Sequence, residues 1–261
     1  MTSAAPVAPN VSEVLGFPVV ERWPGLDEVV WRRATRPGRL ATRDGWAEAC
    51  LSPSERDVWT ATRDPGRRET WLLGRLLAKD LVYRHLIDRV GSTDARELAR
   101  VEVHSRDGTG RAVRPWATID GRSQPVRISI AHSHDSVATA LAMAPGTEIG
   151  LDLTEVGDVS AAVAGLWFTN AERAWCGPPD DPQAARRRAL IWSIKEACYK
   201  SANAGEQFVP ASIQVERKFV GWTVDPGSGT RAGGCHVSVL EDEREIAALV
   251  VVERRWGASR D

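Results

Sequence analysis

The sequence predicts an α+β fold in which two similar α/β halves form a pseudo-dimer with a site at their interface. The first observation is a helix-start pattern that occurs twice, with a hydroxyl residue followed by a glutamate three positions later. It places Ser52 before Glu55 and Thr169 before Glu172. This spacing is typical of a capping box, in which the two side chains satisfy backbone N–H groups at the start of a helix.

The second observation is a helical segment with a tryptophan and a lysine eight positions apart after each of these starts. The first pair is Trp71 with Lys79, and the second is Trp192 with Lys200. The pattern predicts two copies of one helical template.

The third observation is a set of short runs rich in β-branched residues in both halves. These strand-like runs are Val101 to Val103, Val126 to Ile130, Val137 to Met143, Ile149 to Leu153, Ile213 to Glu216, Cys235 to Leu240 and Ile246 to Val252. Two related halves that pack together create a cleft, which is a usual place for a ligand.

We divide the chain near Pro145-Gly146. Residues 17–146 form the first half and residues 147–255 the second, while residues 1–16 and 256–261 are polar or Pro- and Ala-rich tails. His132 falls in the first half, whereas Asp152 and Glu196 fall in the second. A ligand that contacts all three therefore lies across the seam.

Composition narrows the class of protein. The chain has 43% hydrophobic and 26% charged residues, which is ordinary for a globular protein. A formal net charge of −1 argues against a nucleic-acid partner, because such proteins neutralise phosphates with an excess of lysine and arginine. Four cysteines without a C-x-x-C pair, no signal-like start and no long apolar run favour a cytoplasmic protein without a membrane segment.

Acidic and basic residues converge in the second half. On a helix, Trp192, Glu196 and Lys200 share one face, and Lys195 lies beside Glu196 on the same flank. In the run from Ile149 to Leu153 the apolar residues alternate with Gly150, Asp152 and, just beyond, Thr154, so these three point to the opposite face. Two carboxylates are a ligand set that Mg²⁺ prefers.

Other interpretations of these residues stay open. Glu196 and Lys200 could form a surface ion pair worth about 0.3–0.5 kcal/mol. His132, His134 and Asp135 could hold a transition metal, although no second cluster of donors accompanies them. The sequence contains neither a Walker loop nor a nucleophile elbow, and the glycines around Thr109 lack the third glycine of a dinucleotide fingerprint.

The motif W-x-x-K-E-A-x-x-K from Trp192 to Lys200, with Gly150-Leu151-Asp152 upstream, resembles the signature of the Sfp-type 4′-phosphopantetheinyl transferases. Ile128 to Ser133 is similar to the strand that carries the family's histidine. The resemblance spans roughly residues 50–205, and it implies the pseudo-dimeric fold of that family.

The resemblance also implies roles for individual residues. Asp152 and Glu196 bind Mg²⁺, or Mn²⁺ in its place, and Thr154 holds a metal-bound water at a position where the family commonly has a second acid. Glu196 acts as the base, and Lys195 and Lys200 neutralise the pyrophosphate. The residues implied to bind coenzyme A are Arg68, Arg75, Lys79, His132, Lys195 and Lys200.

The implied reaction transfers the 4′-phosphopantetheine arm of coenzyme A to a serine of an apo acyl or peptidyl carrier protein and releases adenosine 3′,5′-bisphosphate. An internal duplication predicts a monomer, because the second half supplies what a partner subunit would supply. Arg186, Arg187 and Arg188 either steer an acidic carrier or form a solvated face. The competing function is a non-catalytic module that binds coenzyme A or a carrier protein, since Thr154 replaces an acid.

Overall fold

The structure, a computed structural model, describes residues 21–35, 49–87, 95–202, 207–219, 221–226 and 235–253. The two expected tails, residues 1–16 and 256–261, lie outside the described residues.

The first half contains seven strands and three helices within the described residues. In chain order they are β1 (Glu21–Trp23), β2 (Leu26–Thr35), α1 (Pro53–Ala61), α2 (Pro65–Leu86), α3 (Ala95–Arg100), β3 (Val101–Arg106), β4 (Ala112–Ile119), β5 (Arg122–Ser123), β6 (Arg127–His132) and β7 (Ser136–Ala142).

The second half contains five strands, three α-helices and a short 3₁₀ turn within the described residues. They are β8 (Thr147–Glu155), α4 (Ala161–Trp167), α5 (Asn170–Cys176), α6 (Ala184–Ala202), the 3₁₀ turn Pro210–Ser212, β9 (Gln214–Arg217), β10 (Trp222–Asp225), β11 (Cys235–Glu241) and β12 (Glu245–Glu253).

The strands form two large antiparallel sheets and one small one. The sheet orders are β1-β2-β7-β6, β8-β12-β11-β10-β9 and β3-β4-β5. Mixed helices and antiparallel sheets confirm the predicted α+β class.

Strand alternation explains how the two large sheets and the two long helices pack. On β7, Val137 and Leu141 belong to a core cluster with α2, whereas Ala138 and Ala140 belong to a cluster shared with the second sheet. On β12, Ile246, Ala248 and Val250 pack with α6, and the intervening residues face the first sheet. Because successive side chains point to opposite faces, each sheet has a helix on one face and the other sheet on its second face.

Both predicted capping boxes are present. Ser52 accepts a hydrogen bond from the backbone N–H of Glu55, and Thr169 accepts one from that of Glu172. Each glutamate carboxylate also accepts a backbone N–H from a later strand, from Val103 at 3.0 Å for Glu55 and from Val215 at 2.8 Å for Glu172. The same glutamates pair with fully buried lysines, Lys79 at 2.5 Å and Lys195 at 2.9 Å. We call these two arrangements the glutamate–lysine clamps.

The clamps correct the expected register between the halves. Lys79 pairs with the glutamate of a capping box, as Lys195 does, whereas Lys200 pairs with Asp152 and Glu196. Lys79 therefore corresponds to Lys195, and Trp71 is not the counterpart of Trp192. The matching segments are Lys79-Asp80-Leu81-Val82-Tyr83-Arg84 and Lys195-Glu196-Ala197-Cys198-Tyr199-Lys200.

Across the described residues, none of the helices has both the length and the apolar character needed to cross a bilayer.

Candidate active site

A close approach between β8 and α6 creates the site. A Cβ atom added to Gly150 would lie 1.9 Å from the backbone oxygen of Ala197 and 2.5 Å from the backbone nitrogen of Ser201. Glycine is therefore required where the strand touches the helix. As the alternation predicts, Ile149, Leu151 and Leu153 pack between the sheets, which leaves Asp152 to face α6.

Asp152, Glu196 and Lys200 meet at this contact. The Lys200 ammonium lies 2.7 Å from Asp152 Oδ1 and 3.6 Å from Glu196 Oε2. Asp152 is buried, whereas Glu196 and Lys200 are partly exposed. One lysine thus bridges two carboxylates, one from a strand and one from a helix.

Neutral donors hold the other oxygen of each carboxylate. The Thr154 hydroxyl donates to Asp152 Oδ2 at 2.8 Å, and the Trp192 indole N–H donates to Glu196 Oε1 at 2.9 Å. Glu155 is the next acidic residue after Asp152 in the sequence. Its carboxylate accepts a hydrogen bond from the backbone N–H of Asp135 at 3.2 Å.

The cluster shifts the protonation of its members. Burial, reinforced by the negative charge of Asp152, raises the pKa of Glu196 to about 7. Desolvation opposes charge on Lys200, but Asp152 and Glu196 outweigh it and raise the pKa of the ammonium. Desolvation in the cleft and the nearby Lys200 lower the pKa of His132, which favours a neutral imidazole.

A cavity of about 670 Å³ opens beside His132, on the first-half side of the seam. Its lining includes Arg67, Trp71, Arg75, Ser105, Ile130 and His132. A second cavity of about 680 Å³ shares Arg67, Trp71 and Arg75 with it and extends towards α1 and β3.

Arg75 is the most unusual cation in the lining. Its guanidinium is buried, lies 5.1 Å from the centre of the Trp71 ring and donates from Nη2 to the Ser105 hydroxyl. Its Nε and Nη1 atoms have no hydrogen-bond partner. Burial lowers the pKa of Arg75 to about 10. Buried donors without partners are costly.

Lys195 does not belong to this site, which corrects the prediction that it contacts the pyrophosphate. One step along an α-helix turns a side chain by roughly 100°. Lys195 therefore points into the core, where it pairs with Glu172 and donates to the backbone oxygens of Pro210 and Ile213. The Lys195 ammonium thus has three partners inside the fold, which are Glu172 and the backbone oxygens of Pro210 and Ile213.

Lys79 and Arg68 require similar corrections. Lys79 is fully buried against Glu55 and the backbone oxygens of Cys50 and Leu98, and it lines neither of the two cavities. The Arg68 guanidinium lies 5.3 Å from the centre of the Trp59 ring and lines neither cavity described above.

The sequence reasoning missed Arg67, which lines both cavities. Arg67, Trp71 and Arg75 are spaced at i, i+4 and i+8, which places them on one helical face. Counting from Arg75 in steps of four would have found Arg67 in place of Arg68.

The donor set of the site fits a hard divalent cation. Two carboxylates close enough to raise a pKa by mutual repulsion are stabilised by a cation between them, and Mg²⁺ usually takes one or two protein carboxylates and completes its shell with water and phosphate. Within the part of the chain that the structure describes, no group of three or more His, Cys, Asp or Glu side chains could hold a metal ion, the His132–Asp135 segment included.

The basic triplet before the motif is engaged within the second half. Arg186 pairs with Glu241, Arg187 pairs with Asp181, and Arg188 donates to the backbone oxygen of Val159. These contacts favour a structural role over a dedicated surface for an acidic carrier.

A carboxylate pair, a bridging lysine and a cavity lined by Arg67 and Arg75 form a site suited to phosphoryl transfer, in which positioned cations stabilise charge on phosphate oxygens. The family model of the 4′-phosphopantetheinyl transferase superfamily matches residues 148–232, which include Asp152, Glu196 and Lys200. The match confirms the resemblance to this superfamily over that part of the chain.

Two solved structures are similar to part of the chain. The crystal structure of a holo-[acyl-carrier-protein] synthase from Thermotoga maritima has a TM-score of 0.35 and 23% identity, over 41% of this chain and 64% of that chain. A holo-(acyl-carrier-protein) synthase from Bacillus anthracis, solved with CoA (3′,5′-ADP), has a TM-score of 0.35 and 21% identity, over 41% of this chain and 96% of that chain. The present chain thus spans less than two thirds of the length of the Thermotoga synthase. A search of curated proteins found no significant match.

Proposed function

We propose that this protein is an Sfp-type 4′-phosphopantetheinyl transferase. It transfers the phosphopantetheine arm of coenzyme A to a serine of an apo acyl or peptidyl carrier protein and releases adenosine 3′,5′-bisphosphate. The observation that carries the proposal is the Asp152–Lys200–Glu196 cluster together with the cavity lined by His132, Arg67 and Arg75.

Coenzyme A binds in the cavity between His132 and Arg75. Arg67 and Arg75, which both line this cavity, supply positive charge for phosphate groups, and guanidinium groups bind phosphate with charge-assisted hydrogen bonds. His132, at the end of β6, lines the cavity and is within electrostatic range of Lys200 and Asp152. Its imidazole orients the pyrophosphate towards Lys200.

Asp152 and Glu196 hold Mg²⁺, with Mn²⁺ as a substitute, and Lys200 remains beside them. When bound, the ion neutralises charge on the pyrophosphate oxygens. Asp152 Oδ2 and Glu196 Oε1 accept from Thr154 and Trp192, and the other oxygen of each carboxylate faces Lys200.

In the reaction, the carrier serine oxygen forms a bond to the phosphorus that bears the pantetheine, and the bond from that phosphorus to the bridging oxygen breaks. Glu196 accepts the serine proton. A positioned carboxylate is a common general base in proton transfer. The Lys200 ammonium stabilises the negative charge that develops on the departing bisphosphate.

The two halves form a pseudo-dimer with one site. The glutamate–lysine clamps recur in both halves, and the matched segments place Asp80 and Arg84 at the positions of Glu196 and Lys200. In the first half, however, Asp80 pairs with Arg32 from β2 and with Arg84. The Arg32 guanidinium therefore takes the place that the Asp152 carboxylate has in the second half. One chain thus supplies a single complete site, which supports a monomer, and four cysteines without a disulfide favour a cytoplasmic setting.

The proposal is tested by incubating the protein with coenzyme A, Mg²⁺ and a panel of apo carrier proteins, and measuring the intact mass of each carrier. We expect a gain of one phosphopantetheine arm that chelation abolishes. Glu196→Gln should retain the fold and lose the transfer. Near-normal turnover by this variant would refute the assignment of Glu196.

Thr154 motivates one alternative, a module that binds coenzyme A or a carrier without transfer. It stands where related sequences commonly have an acid, and its hydroxyl donates to Asp152. Coenzyme A binding without a mass gain on any carrier would favour this alternative.

A further inference from the structure

Each carboxylate of the site has one oxygen committed to a neutral donor. Asp152 Oδ2 accepts from the Thr154 hydroxyl at 2.8 Å, and Glu196 Oε1 accepts from the Trp192 indole N–H at 2.9 Å. The two donors come from different elements, Thr154 from β8 and Trp192 from α6.

The other two oxygens converge on one point. Asp152 Oδ1 and Glu196 Oε2 both face the Lys200 ammonium, at 2.7 and 3.6 Å. A carboxylate that is held at one oxygen resists rotation about its terminal bond, so the free oxygen keeps its direction. The Lys200 ammonium therefore marks the position at which a cation would contact both oxygens.

Rigid surroundings hold both donors. Thr154 is buried, and its strand pairs with β12 through Ile246. The Trp192 ring packs edge-on against Phe208 with centroids 5.8 Å apart, and Phe208 packs against Tyr199 at 4.8 Å. Donors fixed in this way transmit their orientation to the carboxylates.

We propose that Trp192 and Thr154 are positioning residues that aim Glu196 and Asp152 at a divalent cation. The inference rests on the proposed function, because it assigns a divalent cation to the carboxylate pair. Thr154 acts through Asp152, and its hydroxyl serves as a donor to that carboxylate instead of a replacement for a third acidic ligand.

The test is direct binding of Mn²⁺ to the full-length protein, measured by the electron paramagnetic resonance signal of the free ion. The variants are Trp192→Phe, which keeps the ring and loses the N–H, and Thr154→Val, which keeps the shape and loses the hydroxyl. The matched controls are Thr154→Ser, which keeps the hydroxyl, and Trp175→Phe, whose ring packs on Trp222 at 5.0 Å.

We expect the Mn²⁺ dissociation constant to rise about tenfold to a hundredfold in Trp192→Phe and Thr154→Val, the range for loss of a group that orients a metal ligand. Thr154→Ser and Trp175→Phe should bind as the unaltered protein does. In transfer assays the concentration of Mn²⁺ at half-maximal rate should rise, while KM for coenzyme A should not change.

Unaltered Mn²⁺ binding in both Trp192→Phe and Thr154→Val would overturn the inference, as would equal weakening in the two controls or no Mn²⁺ binding by the unaltered protein. The two proposals fail in different ways. If no carrier gains the arm but both variants weaken Mn²⁺ binding, the proposed function fails and the positioning role stands. If carriers gain the arm and both variants bind Mn²⁺ normally, only the positioning role fails.

Discussion

At the residue scale, adjacent residues of the motif from Trp192 to Lys200 have different roles. Lys195 is fully buried in the pair with Glu172, whereas Glu196 and Lys200 are partly exposed beside Asp152. The motif therefore combines a structural lysine, a carboxylate at the site and a cation at the site in six consecutive residues. The Lys200 ammonium lies between the two oxygens that a divalent cation would use.

Lys200→Met should tighten Mn²⁺ binding and lower transfer. Removal of a positive charge from between the carboxylates removes a competitor for their free oxygens, which we expect to strengthen binding by roughly tenfold. Transfer falls because charge on the leaving bisphosphate loses a partner. Isothermal titration with Mn²⁺ and carrier mass measurement check the two effects, and weaker Mn²⁺ binding would show that Lys200 supports the cation.

At the element scale, the glutamate–lysine clamps tie three elements together in each half. Glu172 caps α5, accepts the backbone N–H of Val215 near the start of β9 and pairs with Lys195 on α6. Glu55 links α1, β3 and α2 in the same way. A buried lysine that also donates to backbone oxygens is a structural part, even though its type suggests phosphate binding.

Lys195→Met should destabilise the protein by about 3–5 kcal/mol, because it leaves the Glu172 carboxylate buried without its cation. Lys218→Met is the matched control, since the Lys218–Glu216 pair at 2.5 Å is exposed and such pairs contribute about 0–1 kcal/mol. Urea unfolding followed by circular dichroism measures both. A Lys195→Met protein of normal stability that fails to bind coenzyme A would return Lys195 to the ligand-binding residues.

Gly150→Ala should displace α6 from β8 and disable the site. The added methyl group would meet the backbone of Ala197 at 1.9 Å, which no side-chain rotation relieves. Gly165→Ala is the control, because it lies in α4 with open space around its Cβ position and alanine favours a helix. We expect lower thermal stability and lost transfer in Gly150→Ala alone. A Gly150→Ala protein as stable and active as Gly165→Ala would contradict this contact.

At the scale of the whole molecule, the site takes parts from both halves across a shared core. Trp31 and Ala140 of the first sheet pack with Leu151 and Leu249 of the second. Polar links reinforce this core: Arg114 pairs with Glu148 of β8 and donates to the backbone oxygen of Ser201 at 3.2 Å. The first half contributes the cavity and the second contributes the carboxylates.

Arg75→Gln should weaken coenzyme A binding by about tenfold or more, because loss of a charged hydrogen-bonding group costs roughly 1.5–3 kcal/mol. Arg68→Gln is the control from the same helix, since Arg68 packs on Trp59. The dissociation constant of coenzyme A, measured at equilibrium for each variant, distinguishes Arg75→Gln from Arg68→Gln. Equal weakening in both variants would indicate a general effect of charge on the helix.

Several features follow from local sequence rules and are present in the structure. The capping boxes depend on neighbouring residues alone, so Ser52 with Glu55 and Thr169 with Glu172 are recognisable in the sequence. Side-chain alternation along β8 likewise places Asp152 and Leu151 on different faces of the strand. The four-residue spacing on α6 brings Glu196 and Lys200 together.

Other features depend on contacts between distant segments. The sequence indicated lysines and arginines suited to phosphate, but packing decided that Lys79 and Lys195 are buried with glutamates and that Arg67, not Arg68, lines the cavities. Packing also decided that Thr154 and Trp192 donate hydrogen bonds to Asp152 and Glu196. The physical reason is that a side chain's type and helical angle are local properties, whereas the group that faces it is set by how α2 and α6 pack on sheets formed from remote strands.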